Sequence, residues 1–126
     1  MKTAVIFLNH PLSEQQKVDL SRNYDVSAIV EMSNKLKGLF SQVPAEAGKQ
    51  EIVKLAKKFV DFTGDAQIAV VQGEHTLSFA IVKLLQEQGK TCLVATTKRE
   101  SQEITNPDGS VRKMNVFKHV RFREYA

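Results

Sequence analysis

The chain alternates between short unbroken apolar runs and longer stretches with helical periodicity. Residues 3–9, Thr3-Ala4-Val5-Ile6-Phe7-Leu8-Asn9, form a run typical of a strand covered on both faces of its sheet. Ser13-Glu14-Gln15-Gln16 reads as a capping box and predicts a short helix to about Arg22. Val26–Val30 predicts a second strand. Ser33 can cap a short helix through Phe40, and Pro44 interrupts the pattern. Ile52, Leu55, Ala56, Phe59 and Val60 fall on one helical stripe, and Gly64 is expected to close that helix as a left-handed cap. Lys49, Lys54, Lys57 and Lys58 lie mostly off the stripe and suit a solvated face. Residues 67–72 predict a third strand, and Leu77, Ala80, Ile81, Leu84 and Leu85 a helix closed by Gly89. Thr91–Ala95 predicts a fourth strand.

Strands that alternate with helices predict an α/β fold, a Rossmann-like parallel sheet with flanking helices and right-handed crossovers. The last third reads differently. Asn106-Pro107-Asp108-Gly109 is a turn signal between two extended runs, so residues 99–105 and 110–118 should form a C-terminal β-hairpin. Strand should continue through Val120-Arg121-Phe122-Arg123, with the apolar pair on one face and both arginines on the other. A length of 126 residues fits a single domain spanning 1–126.

Composition narrows the class. Hydrophobic residues at 42% and charged residues at 25% are ordinary for a globular chain and argue against disorder. The lone Cys92 cannot make an internal disulfide, which suits a reducing, cytoplasmic setting, and its apolar neighbours predict burial. No apolar stretch reaches the ~18–20 residues that span a membrane. The first run ends in Asn9-His10-Pro11 rather than at a small-residue cleavage site, so a strand explains it better than a signal peptide. Of the net charge of +4, residues 98–125 supply +3, from seven Lys/Arg against four Asp/Glu. That bias suits an anionic ligand and is too sparse for long nucleic acid.

In open parallel sheets, ligands bind beyond the carboxyl ends of the strands, where the strand order changes. Strand one ends in Asn9-His10, strand three in Gln72-Gly73-Glu74-His75, and strand four in Thr96-Thr97-Lys98-Arg99. Asn9 and His10 could equally start a turn before Pro11. Gly73 could be a turn glycine, or could let backbone amides approach a phosphate at the positive end of the next helix. Glu74 and His75 could be first-turn helix residues, with Thr76 as a competing cap. Two hydroxyls and two cations at 96–99 can hold phosphate oxygens, or can form a polar strand end entering the hairpin. His10, His75, His119 and Glu74 show no metal-ligand spacing, so neither metal nor cofactor is expected. The absence of GxxxxGKS/T, of GxGxxG after strand one and of GxSxG removes support for NTP hydrolysis, dinucleotide chemistry and serine hydrolysis.

Several segments carry a family resemblance: Ala95-Thr96-Thr97-Lys98-Arg99, Asp108-Gly109-Ser110-Val111, and Val116 through Tyr125 (Val-Phe-Lys-His-Val-Arg-Phe-Arg-Glu-Tyr). With Asn9-His10 and Val71-Gln72-Gly73, they resemble a small CRISPR-associated accessory family of type III systems. The resemblance covers essentially the whole chain and is most specific in the tail. It implies a CARF-like domain that dimerises, binds cyclic oligoadenylate second messengers and acts as a ring nuclease that switches off antiviral signalling. The alternative is a non-catalytic binder, a sponge or sensor; a third account is a structural subunit whose basic tail docks an acidic partner. On the ring-nuclease reading, His10 would be the general acid/base, with Glu74 or His75 in reserve, and Lys98 and Arg99 would stabilise phosphate charge. Asn9, Gln72, Thr96 and Thr97 would position ribose or phosphate near Gly73. Lys118, His119, Arg121 and Arg123 would line the ligand rim or a dimer seam.

Overall fold

A computed structural model describes residues 1–126. Its elements are β1 (Lys2–Leu8), α1 (Glu14–Tyr24), β2 (Val26–Glu31), α2 (Asn34–Ser41), α3 (Lys49–Thr63), β3 (Ile68–Gln72), α4 (His75–Glu87), β4 (Thr91–Thr105) and β5 (Val111–Glu124). They form one five-stranded sheet in the order β2-β1-β3-β4-β5. The first four strands are parallel, and β5 returns antiparallel to β4. The expected α/β architecture with a C-terminal hairpin is therefore the fold.

Alternate side chains of the strands divide into two cores, because successive residues point to opposite faces. Val5, Phe7, Ala69, Val71 and Cys92 pack under α2, α3 and α4. Ala4, Ile6, Leu8, Ile68, Val70 and Leu93 pack with Leu12 and Leu20 on the side of α1. Phe7, Phe40 and Phe59 meet edge-on or tilted at centroid distances of 5.4–6.3 Å. Cys92 is buried, and burial pushes its thiol up to about 11. Ser13 and Gln16 close the predicted capping box on α1. No helix is long and apolar enough to cross a membrane.

Three local expectations are corrected. Gly64 has φ +52° but ψ −125°, so it ends α3 through a conformation open to glycine without forming a left-handed helical cap. Thr96–Arg99 is not a strand end. β4 runs unbroken to Thr105 because β5 supplies its ladder beyond the point where β3 stops. Val120 and Phe122 do not share a face: pairing jumps from Thr96–Arg121 to Thr97–His119 and leaves Val120 as a bulge. The bulge breaks the alternation, so Phe122 is fully buried while Val120 is 57% exposed.

The root of β5 is tied to the body by polar contacts. Asp19 of α1 accepts from His119 Nε2 at 2.8 Å and from the Phe122 amide at 2.9 Å, and Tyr24 donates its hydroxyl to the Phe122 carbonyl. Past that root, residues 97–118 form a two-stranded ribbon in which no residue is buried.

Candidate functional site at the carboxyl edge of the sheet

β1, β2 and β3 end on one edge of the sheet, and β4 runs on past that edge. Leu8 pairs with Gln72, so Asn9 follows directly beside the end of β3. The Gln72 side chain accepts from the Ala95 amide at 3.3 Å and bridges the gap where β3 and β4 diverge. The chain leaves β1 for β2 on one side and crosses to β3 on the other, so the order reverses at β1. That reversal opens a crevice, because the helices after β1 and β2 lie on opposite faces.

A cleft of about 290 Å³ occupies this crevice, floored by Ile6 and Leu8 and rimmed by Asn9, His10, Glu31, Lys37 and Ser41. His10 Nδ1 lies 2.9 Å from the Pro11 carbonyl, a contact that requires the proton on Nδ1. Its Nε2 then carries the free lone pair. Lys37 is exposed and has no acidic partner in the chain. The cleft therefore sets a potential base, an amide and an unpaired cation around one space.

A second hollow, of about 540 Å³, lies on the other side of the β3 end, bordered by Gln72, Gly73, His75, Phe79, Lys83 and Tyr125. Tyr125 is fixed by its hydroxyl, which donates to the Val71 carbonyl at 2.7 Å. A Cβ on Gly73 would come within 2.5 Å of the buried Phe40 ring. Gly73 is thus required by packing, and its amide donates inward to Ser78.

At the start of α4 the helix end is capped from within the chain, by Glu74. Its carboxylate accepts from the Thr76 and Leu77 amides at 3.0 and 2.9 Å and from the Thr76 hydroxyl. Glu74, not Thr76, is the N-cap, and the donors a phosphate would use are already engaged. The Thr76 hydroxyl, followed by the two amides, holds the Glu74 carboxyl below its ordinary range.

The remaining predicted residues scatter. Thr96 donates its hydroxyl to the Arg121 carbonyl at 2.7 Å. Thr97, Lys98 and Arg99 follow on the ribbon and line neither hollow. Lys118 pairs with Glu100 at 3.0 Å. Arg121 borders a small space beside Asp19, Asn23 and Tyr24, away from His10, and Arg123, opposite Val94 in the ladder, lines neither hollow. His119 is the sharpest correction. Its side chain is 6% exposed, its ring lies 4.9 Å from that of Phe122, and its Nδ1 is buried without a partner. The bulge at Val120 turns it inward, so it anchors β5 and lines no rim.

Burial pushes the Asp19 carboxyl up. Hydrogen bonds from Asn23, His119 and the Phe122 amide, with the charge of His119, outweigh that and leave it below its ordinary value. Sequence reading missed Glu31, Lys37 and Ser41. The end of β2 faces the same edge, and Lys37 follows the Ser33 cap by one turn, so the strand-end rule applied to β2 would have found them. No His, Cys, Asp or Glu side chains group in threes as metal ligands would.

The architecture and its edge define a small doubly wound α/β protein with two hollows at the carboxyl ends of its strands. Within that class, the chain belongs to the Uncharacterized protein MJ1673 family, whose model it matches over residues 2–123. It is similar to "Uncharacterized protein MJ1673" of Methanocaldococcus jannaschii, at 24% identity over 127 residues that cover 99% of this chain and 98% of that one. No solved structure matches the chain.

Proposed function

We propose that this protein is a ring nuclease: it binds a cyclic oligoadenylate, cyclic tetra-adenylate first, and opens the ring without a metal. The reading begins from the family resemblance described above. One observation carries it into the structure: Asn9, His10 and Lys37 surround a single cleft at the strand-order reversal. In the reaction, a ribose 2′-OH gives its proton to a base and its oxygen attacks the adjacent phosphorus. The bond to the 5′-oxygen breaks, that oxygen takes a proton, and a 2′,3′-cyclic phosphate remains. His10 Nε2 is the proton acceptor, Lys37 offsets charge building on the phosphorane, and Asn9 orients the ribose. Lys37 takes the role that sequence reading gave to Lys98 and Arg99. The protein acts in the cytoplasm as a homodimer that presents the edge twice to a ligand of two-fold character, and down-regulates type III CRISPR antiviral signalling.

Incubation with cyclic tetra-adenylate in EDTA tests this. The expected result is linear product ending in a 2′,3′-cyclic phosphate, with His10→Ala slower by ~10²–10⁴-fold. Intact ring co-eluting with the protein would replace cleavage by sequestration. Neither binding nor cleavage would end the proposal.

A further inference from the structure

The ribbon of residues 97–118 has no layer on either face. An isolated two-stranded ribbon is marginal in water, yet this one exposes Phe117 at 67% and Val111 at 57%. The ladder pairs Thr97 with His119, Arg99 with Phe117, Ser101 with Asn115, Glu103 with Lys113 and Thr105 with Val111. Paired residues share a face, so Arg99, Glu103, Lys113, Phe117 and Val111 form one surface, on the side of α1 where His119 is anchored. The other face carries Lys118 and Glu100, which already pair with each other. On the α1-side surface, Arg99, Glu103 and Lys113 have no ion pair within the chain.

These positions are self-complementary. A two-fold axis crossing the ribbon at the level of Ser101 and Asn115 lays position 99 over 103 of the other copy and position 117 over 113. Arg99 then meets Glu103 of the second copy, and Phe117 meets its Lys113 as a cation–π pair, each contact occurring twice. On the opposite face the same register would set Lys118 against Arg112 of the second copy. In this register charge favours the α1-side face, with a second copy of the chain as its occupant. We propose that the α1-side face of the ribbon is a homodimer surface, two ribbons packing face to face with reversed direction and Arg99 pairing with Glu103 across the axis. This names the surface behind the two-fold symmetry proposed above and does not depend on the ligand. A chain that dimerises this way but ignores cyclic oligoadenylates would sink the ring-nuclease reading alone.

Sedimentation equilibrium of the full chain tests the surface by charge reversal. Arg99→Glu and Glu103→Arg should each weaken the dimer by at least about tenfold, since like charges then meet twice. The double reversal should restore it. A wild-type chain that stays monomeric to about 100 µM would overturn the proposal, since even a small interface should associate there. So would a dimer indifferent to both single reversals, as expected if the free edge of β5 pairs with its copy instead. A double variant no better than the singles would also overturn it.

Discussion

Strands β4 and β5 belong to two regions with opposite physics. Near their shared root, Leu93 and Phe122 are fully buried between the sheet and α1, and the ladder there is one layer of a two-sided core. A few residues on, Arg99 and Phe117 pair through the same ladder with nothing above or below. Backbone pairing runs through both regions, interrupted only at the Val120 bulge, so it is not what distinguishes them. The difference is apolar burial, the main favourable term in folding. Backbone pairing alone can extend a strand past its core, but what it extends is held there weakly.

Core truncation should separate the regions most. Phe59→Ala removes a fully buried ring from the Phe7–Phe40–Phe59 cluster and should cost about 3–5 kcal/mol in chemical denaturation. Phe117→Ala, on the ribbon, should stay within about 0.5 kcal/mol for the monomer. Equal losses would mean that the ribbon packs on something within its own chain.

Next in size is the tie between the regions. Asp19→Ala strands the buried Phe122 amide and the His119 ring, and should cost about 1–3 kcal/mol. The sign with pH follows from the depressed carboxyl. Its contribution is complete above the ordinary aspartate range, near pH ~4, and fades as pH falls through the lower folded value. Wild type should therefore lose stability on acidification more steeply than Asp19→Ala, read from denaturation midpoints. Parallel profiles would remove Asp19 from the account.

Two glycines give the smallest contrast. Gly73→Ala drives a Cβ into the buried Phe40 ring and should cost about 1–3 kcal/mol of global stability. Gly109 has φ +87° with open space around it, so Gly109→Ala should cost about 1 kcal/mol and only within the ribbon. Amide exchange, which reads local opening, should show the second loss confined to residues 97–118.

The sequence by itself determined the order and type of the elements, the two apolar faces, the hairpin turn and the fact that β1 and β3 end side by side. Each follows from local periodicity or from a chirality rule that needs no knowledge of contacts. Tertiary structure decided which polar residues at that edge meet. Asn9 and His10 are joined by Glu31 and Lys37, from β2 and α2, two elements that sequence reading predicted but did not place at the site. Glu74 satisfies the helix end it was expected to leave open, and a one-residue bulge turns His119 from the rim into the core. A bulge and a cap are each settled by where a distant donor or acceptor falls, and that position exists only once the chain has packed.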